Sequence, residues 1–235
     1  SSPFLTSLTW PPAAAIMSGV RPSASMSSST KPPAVLDLCS SWTSHYPKEW
    51  NGNGNGEKVK CVALGLNALE LAFNPSKTEW RVQNLNKQPA LPFEDNEVGS
   101  FIILSLATFV DSSTSFPLSS FLFPLSLSLY LQFDLITNSL SVDYLTSPRE
   151  VFREMLRVLK PGGVASMAFT NRCFATKVVP IWLRPFTDQH HASVVANYFH
   201  FSGDWDDLVV VDVSPPGWIG QSDPMYVVQA RKPRF

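Results

Sequence analysis

Short, almost continuously apolar runs recur along the chain and alternate with segments of helical pattern. Seven of these runs are predicted to form strands: AVLDL, VKCVAL, EWRVQNL, FDLITNS, VASMAFT, LVVVDVS and MYVVQAR. Strands that are apolar on both faces are typical of a parallel sheet covered by helices. The last two runs have no long helical segment between them, which indicates an antiparallel hairpin at one edge. The expected fold is therefore α/β with a mainly parallel sheet and helices on both faces.

The segment SPREVFREMLRVLKPGG is the clearest predicted helix. Its apolar residues follow the 3.6-residue period of a helix: Val151, Phe152, Met155, Leu156 and Leu159. Ser147 is expected to cap the start, Pro148 suits the first turn, and the PGG at 161–163 is expected to end it. NALELAF, which stops before a proline, and HASVVANYFHFSG are the other predicted helices.

Composition limits the size and the class of the protein. A chain of 235 residues with 44% hydrophobic residues suits one domain with a real core. The net charge of −1 lacks the excess of Lys and Arg that a broad nucleic-acid-binding face needs, so no nucleic-acid partner is expected. Cys39, Cys61 and Cys173 are widely and irregularly spaced, which indicates a reducing compartment rather than a disulfide framework.

The first residues of the chain have an unusual composition. Residues 1–36 contain two basic residues and no acidic ones, and they are rich in Ser, Pro and Ala. This composition is typical of an organelle transit segment, and an unstructured leader without address value is the alternative. We predict a disordered or transit-like leader at 1–33, a domain at 34–232, and a location in the cytoplasm or the plastid.

An apolar tract at residues 98–132 interrupts the predicted domain. Asp111, two prolines and repeated serines break it, so it does not form the run of about 20 apolar residues that a membrane helix needs. It is also far longer than ordinary loops. Ser, Leu, Phe and Pro share pyrimidine-rich codons, Val codons begin with GT, and Gln can be CAG. Our hypothesis is that the tract, from Val98 to Gln132, is a retained intron; a genuine hydrophobic insertion that docks on a membrane or a partner is the alternative.

Several motifs occur in a characteristic order. With the apolar tract set aside, VLDL, LPFED, FDLIT and a helix running into LKPGG resemble the class I S-adenosylmethionine-dependent methyltransferases, with a type 11-like domain. VLDLCSSWTSHYP, FTNRCFATKVVPIW and SDPMYVV look like a little-characterised branch of these proteins. The resemblance covers roughly residues 34–232. It implies a Rossmann-like sheet of seven strands, the last antiparallel.

The resemblance also implies a function. The cofactor would be S-adenosylmethionine, and the reaction would be methyl transfer to a small molecule. A non-catalytic module that keeps the fold for binding or scaffolding is the alternative. A dehydrogenase that uses NAD is disfavoured, because no G-x-G-x-x-G follows the first strand.

In an open parallel sheet, ligands bind beyond the carboxyl ends of the strands, where the strand order reverses. The resemblance implies which part of the cofactor each strand end contacts. The loop after strand one and the end of strand four would adjoin the methionine portion. The end of strand two would adjoin the ribose, and the end of strand three would adjoin the adenine. The predicted cofactor-binding residues are Asp37, Cys39, Ser40, Ser41, Gly65, Asn67, Asn84, Leu85, Asn138 and Ser139.

This chain departs from the family pattern at three places. The loop CSSW stands where the family has a Gly-rich turn, and its Trp42 adds bulk. Gly65 stands where the family places an acidic residue for the ribose. Asn67, two residues on, is the expected substitute, although a carboxylate is a stronger acceptor. Asn84 stands where the family usually has Asp, and its carbonyl can accept a hydrogen bond from the adenine amine.

No catalytic residue is assigned from the sequence. Methyl transfer depends mainly on the alignment of nucleophile and methyl group, with a base only when the nucleophile carries a proton. Candidate bases near the crevice are His45, Asp143 and Tyr144, each with a structural role as the alternative. Arg172 is expected either to hold an acidic substrate or to form a salt bridge.

Histidines and aromatic residues cluster towards the carboxyl terminus. His190, His191 and His200 lack the spacing of a metal site, so surface or packing roles are expected. The aromatic residues are expected to form core or a lid over the crevice: Trp182, Phe186, Tyr198, Phe199 and Phe201.

Overall fold

The computed structural model describes residues 33–44, 46, 50, 59–93, 133–184, 187–214 and 223–234. Their elements are, in chain order, β1 (Ala34–Leu38), β2 (Lys60–Gly65), α1 (Ala68–Phe73), β3 (Glu79–Val82), β4 (Phe133–Ser139), a 3-10 turn (Val142–Tyr144), α2 (Pro148–Val158), β5 (Leu159–Thr170), a second 3-10 turn (Pro180–Leu183), α3 (Asp188–His200), β6 (Asp206–Asp212) and β7 (Met225–Arg231). Some sequence predictions lie outside the described residues: the leader up to residue 32, the tract at 98–132, His45 and Phe186.

The seven strands form one sheet in the order β3-β2-β1-β4-β5-β7-β6. Neighbours from β3 to β5 are parallel, whereas β7 is antiparallel to both β5 and β6. This arrangement confirms the predicted mainly parallel α/β sheet with its antiparallel hairpin at the edge. The strand order reverses between β1 and β4, which places a ligand crevice at their carboxyl ends.

The core lies against the central strands, because these are apolar on both faces. On one face, α2 buries Val151, Phe152, Met155 and Val158. Phe152 also packs edge-to-face on Phe199 of α3, with ring centroids 4.7 Å apart. Each such side chain contributes about 1.5–3 kcal/mol through burial. A smaller cluster of Val35, Val59, Leu135 and Val164 is joined by Tyr46 and Trp50, from the connection between β1 and β2.

The helix α2 ends earlier than predicted. It stops at Val158, and β5 begins at Leu159 and runs through the PGG at 161–163. The PGG forms an irregularity in the strand, where the pairing register with β4 shifts. A Cβ at Gly163 would lie 2.9 Å from the Lys160 carbonyl oxygen, so glycine is needed there for close packing and not as a helix stop. The prediction that PGG ends the helix was wrong.

Two details of the helices also differ from prediction. Ser147 occupies the N-cap position of α2, but its side chain makes no capping hydrogen bond. Within α2, Val158 is buried and Leu156 is only half-buried. The helix α3 begins at Asp188, three residues before the predicted start, because Thr187 and His190 form a capping box.

Phe93 is the last described residue before the apolar tract, and Phe133 is the first described residue after it. The two rings pack edge-to-face with centroids 4.9 Å apart. Arg157 of α2 fixes the exit by donating to the Phe93 carbonyl oxygen at 2.6 Å and to that of Leu91 at 3.1 Å. The two ends of the long connection between β3 and β4 therefore meet at one place. In the part of the chain that the structure describes, no helix is long and apolar enough to cross a membrane.

Candidate functional site

The carboxyl ends of four parallel strands meet at one edge of the sheet. Leu38 of β1 is in register with Leu64 of β2 and with Asn138 of β4. Gly65 of β2 is in register with Val82 of β3. The predicted site residues therefore lie along a single edge, on both sides of the point where the strand order reverses.

The turn after β1 begins with a residue in the left-handed conformation. Cys39 has a φ of 56°, a value that glycine adopts readily and other residues adopt at a cost of about 1–2 kcal/mol. Burial, the nearby charge of Asp37 and the more distant Asp143 raise the pKa of the Cys39 thiol to about 12, although a hydrogen bond with Asn138 lowers it. Cys39 is thus a neutral thiol that packs in the crevice, and it is not an activated nucleophile.

Side-chain hydrogen bonds hold the rest of this turn, which we call the β1 loop (residues 39–44). The Ser40 amide donates to the Leu64 carbonyl oxygen at 2.9 Å. The Asn74 amide nitrogen, at the end of α1, donates to Ser40 Oγ at 3.2 Å, to the Ser41 carbonyl oxygen at 3.0 Å and to Ser44 Oγ at 2.9 Å. A polar side chain therefore fixes a loop that a Gly-rich sequence would shape through backbone freedom.

Asp37 anchors the same loop from within the sheet. Asp37 is buried, with 6% of its surface exposed. Ser44 Oγ donates to one carboxylate oxygen at 2.5 Å, and Thr137 Oγ1 donates to the other at 3.2 Å. The Tyr46 hydroxyl lies 2.8 Å from Thr137 Oγ1 and extends the network. Asp37 thus acts on the crevice by holding the loop and the end of β4 together.

The end of β2 approaches the β1 loop too closely for any side chain at position 65. A Cβ at Gly65 would lie 2.2 Å from the Ser40 carbonyl oxygen. An acidic residue at this position, as in the family pattern, would displace the loop. The absence of a carboxylate from the end of β2 is therefore a consequence of how the β1 loop is packed.

A carboxylate from α1 reaches the β1 loop. Glu70 accepts from Ser41 Oγ at 2.6 Å and from Asn67 Nδ2 at 2.9 Å. Asn67 caps α1, because its Oδ1 accepts from the Leu69 amide at 3.0 Å. Sequence reasoning missed Glu70, although an acidic residue three positions after an Asn N-cap is a recognisable helix-start signal.

The predicted adenine residues lie in a turn beyond β3. Asn84 Oδ1 accepts from the Asn86 amide at 3.0 Å, so this side chain shapes the turn. Asn86 in turn donates to the Tyr144 carbonyl oxygen at 2.9 Å, which ties the turn to the segment after β4. Leu85 is buried in the main core, so only part of its surface can face a ligand.

Two residues at the end of β4 line the crevice. Asn138 is 1% exposed, and its Nδ2 donates to the Leu38 carbonyl oxygen at 3.3 Å. Its Oδ1 is buried and has no hydrogen-bond partner. Ser139 is half-buried, and its carbonyl oxygen accepts from Ser141 Oγ at 3.2 Å. A buried acceptor without a partner is costly, and a bound donor would satisfy it.

Asp143 is a buried carboxylate in the 3-10 turn after β4. It is 4% exposed and forms no ion pair with any described residue. Burial raises its pKa to about 6, although hydrogen bonds from its own backbone and from Tyr144 lower it. The pKa of the Cys173 thiol is raised mainly by burial, and the charge of Asp143 raises it further. The crevice therefore holds a carboxylate with neutral acids around it, and none of the described residues supplies a cation to balance its charge.

The connection between β5 and α3 is fastened to this turn. The Val179 amide donates to the Asp143 carbonyl oxygen at 2.9 Å, and the Phe174 amide donates to the Tyr144 hydroxyl at 3.3 Å. Arg172 is 74% exposed on its side chain and pairs with Asp223 at 2.6 Å, which agrees with the predicted salt-bridge alternative.

The other clustered residues have packing roles. His190 completes the capping box of α3, whereas His191 is buried and stacks on Trp182 with ring centroids 4.6 Å apart. Trp182 and Phe199 are core residues, and Phe201 is exposed. Phe201 lines an open cavity of about 380 Å³ between the start of α2 and the end of α3, which contains none of the predicted cofactor residues.

Comparison with known proteins supports the fold. A family model described as a methyltransferase domain matches residues 129–167, which run from just before β4 into β5. The cyclase SpnF aligns with a TM-score of 0.51 and 15% identity, over 86% of this chain and 76% of its own. No curated protein matches the chain.

Two further structures align along most of this chain. An S-adenosylmethionine-dependent methyltransferase from Aquifex aeolicus has a TM-score of 0.47 and 15% identity, over 85% of this chain and 82% of its own. Phosphoethanolamine N-methyltransferase 2 of Haemonchus contortus, solved with S-adenosyl-L-methionine, has a TM-score of 0.49 and 11% identity. The alignment covers 94% of this chain and 52% of that enzyme's chain. The match to a methyltransferase-domain model at residues 129–167 confirms the predicted resemblance, and the SpnF alignment supports the predicted Rossmann-like fold. At such low sequence identities, structural similarity supports only the fold, so the reaction has to be argued from the residues of the site.

Proposed function

We propose that this chain binds S-adenosylmethionine at the carboxyl edge of β1 and β4 and transfers its methyl group to a small-molecule acceptor. The observation that carries the proposal is the strand order β3-β2-β1-β4-β5-β7-β6 with β7 antiparallel, together with the methyltransferase-domain match at residues 129–167. Ligands of open α/β sheets bind beyond the carboxyl ends of the strands where the strand order reverses, which supports the proposal.

The residues of the crevice suit the chemistry of this cofactor. Asn138 Oδ1 is a buried acceptor without a partner, which fits the ammonium group of the methionine portion. The Glu70 carboxylate is the acceptor available for the ribose hydroxyls, in place of the acidic residue that Gly65 excludes. The β1 loop offers Ser40 and Ser41 beside the methionine portion. When bound, the cofactor supplies a methyl group already activated on a sulfonium.

Asp143 is placed to receive a proton from an acceptor that carries one. A general base works best when its pKa is close to the working pH, and burial brings the pKa of Asp143 to about 6. A hydrogen bond from Tyr144 keeps this pKa from rising further. The connection between β5 and α3, fastened to the same turn, closes one side of the acceptor space.

A non-catalytic module with the same fold is the second candidate. The observation that favours it is the tight β1 loop, in which Cys39 occupies a left-handed conformation and the Ser40 carbonyl fills the space next to Gly65. Such a loop leaves less room beside β1 than a Gly-rich turn does. Expected partners in either case are small molecules, and nucleic acid is not expected.

Calorimetric titration of the full chain with S-adenosylmethionine and S-adenosylhomocysteine tests the proposal. We expect both to bind, and we expect Glu70→Gln to weaken both about tenfold, since a charged hydrogen bond contributes about 1.5–3 kcal/mol. Glu150→Gln is the matched control, because Glu150 is also an acidic residue in the first turn of a helix. Absence of binding heat for the unmodified chain with either compound would favour the non-catalytic module.

A further inference from the structure

Asn74 is a fully buried polar residue whose side chain is saturated with hydrogen bonds. It is 0% exposed. Its Nδ2 faces three oxygen atoms of the β1 loop, and its Oδ1 accepts from the Ser76 amide at 2.9 Å. Its backbone amide closes α1 by donating to the Leu71 carbonyl oxygen at 3.2 Å. The amide nitrogen and the amide oxygen of Asn74 thus both form hydrogen bonds within the protein.

The position of Asn74 makes it the link between α1 and the β1 loop. The loop itself has little regular structure between Cys39 and Ser44, and α1 is only six residues long. The Asn74 amide reaches Ser40, Ser41 and Ser44, which span the length of the loop. No other side chain among the described residues donates to all three of them.

The network continues from Asn74 into the crevice on two sides. Through Ser44 it reaches the buried carboxylate of Asp37, and through Ser41 it reaches Glu70. A loop shaped by side chains depends on a donor at position 74, because all three facing atoms are oxygens. Aspartate has the same shape as asparagine but offers no donor when ionised, so it would repel the Ser41 carbonyl oxygen.

We propose that Asn74 is a positioning residue that sets the β1 loop in the shape needed to hold the methionine portion of the cofactor. This inference rests on the proposed function, because the loop matters for binding only if the cofactor occupies the crevice. Asn74 acts from behind the loop and does not touch the ligand. Its effect should therefore fall on the methionine end of the cofactor, and the nucleoside end should be affected less.

The test compares two ligands on the full chain by calorimetry. S-Adenosylhomocysteine carries both the nucleoside and the amino-acid portion, whereas 5′-methylthioadenosine lacks the amino-acid portion. We expect Asn74→Asp to weaken S-adenosylhomocysteine about tenfold or more and 5′-methylthioadenosine less than about threefold. Gln229→Glu is the matched control, since Gln229 is a buried amide that donates to Ser166 at 3.2 Å in the sheet.

The outcomes separate positioning from simple stabilisation. Equal weakening of both ligands by Asn74→Asp, or an affinity unchanged from the unmodified chain, overturns the inference. If Asn74→Asp does not fold, Ser44→Ala replaces it, since Ser44 is a buried acceptor of the Asn74 amide and is not a predicted cofactor residue. Ser44→Ala should show the same selective loss, and equal loss overturns the inference. Failure of the unmodified chain to bind either ligand counts against the proposed function.

Discussion

Removing residues 98–132 should leave a more stable domain. The rings at the two ends of the long connection, Phe93 and Phe133, are in contact, with centroids 4.9 Å apart. A phenylalanine ring centroid lies about 4 Å from its Cα, so the two Cα atoms are at most about 13 Å apart. The remaining residues 94–97 give five peptide steps, which reach about 17 Å when extended. The shortened connection can therefore close without moving either end.

The expected gain follows from the entropy of closing the connection. This entropy scales as (3/2)RT ln n, so shortening the connection from 39 residues (94–132) to 4 (94–97) stabilises the fold by about 2 kcal/mol. For a domain of this size that corresponds to a rise in Tm of about 4–8 °C. A partial deletion of 98–115 leaves 21 residues and should give about 0.5 kcal/mol.

Urea unfolding followed by circular dichroism measures the two deletions against the full chain. We expect the midpoint to rise in the order full chain, partial deletion, complete deletion, with an unchanged m value, since no part of the domain surface is lost. A lower midpoint together with a smaller m value would refute the reasoning, because it would mean that residues 98–132 form part of the folded core. Sequencing of mature transcripts tests the intron hypothesis separately, and messages that carry these codons throughout contradict it.

Three single substitutions test other parts of the structure. Gly65→Ala places a Cβ against the Ser40 carbonyl oxygen and should lower the free energy of unfolding by about 1–3 kcal/mol, with Gly56→Ala, outside the described residues, as the control. Asp143→Asn removes a buried charge that no described cation pairs with and should raise Tm at neutral pH; the pKa rise from 3.8 to about 6 corresponds to at most about 3 kcal/mol. Arg172→Ala removes an exposed ion pair and should change stability by less than about 0.5 kcal/mol.

The pH dependence of the Asp143→Asn effect has a definite sign. The folded-state pKa of Asp143 lies above its ordinary value, so the folded chain binds a proton that the unfolded chain releases between about pH 6 and pH 4. The native carboxyl therefore destabilises the fold above about pH 6, and this penalty disappears as the pH falls through that range. The Tm advantage of Asp143→Asn should be full at pH 7.5 and lost near pH 4. An advantage that is independent of pH would contradict the assignment.

The strands and the antiparallel hairpin at the edge of the sheet could be predicted, because the residues of each strand indicate its burial directly. Runs such as FDLITNS and MYVVQAR are buried on both faces, and the structure has strands at the same residues. The end of α2 could not be predicted in the same way. Pro161, Gly162 and Gly163 are common after helices, but here they shape an irregular strand, and only the contact of Gly163 with its neighbours reveals it.

The predicted site residues lie at one edge of the sheet, as their positions at strand ends indicated, but the contacts that hold them were not predicted. Position 65 was identified as the place of a missing carboxylate, whereas the reason, the Ser40 carbonyl oxygen, depends on a contact between two segments. Glu70 was overlooked because it lies on a helix and not at the end of a strand. Asn74 precedes a proline, so in the sequence it has the pattern of a helix end and gives no sign of its three loop contacts. Hydrogen bonds between distant segments leave no local pattern.

The way in which the β1 loop is held limits how its sequence can be moved or redesigned. A glycine-rich turn keeps its shape in many proteins, because its conformation is encoded within the turn. The CSSWTS segment is different, since Asp37 holds it from the strand and Asn74 holds it from the end of α1. Transplanting the segment alone into another α/β protein would transfer its sequence but would not reproduce its conformation. A designer would have to carry residues 37–44 and 65–76 together as one unit.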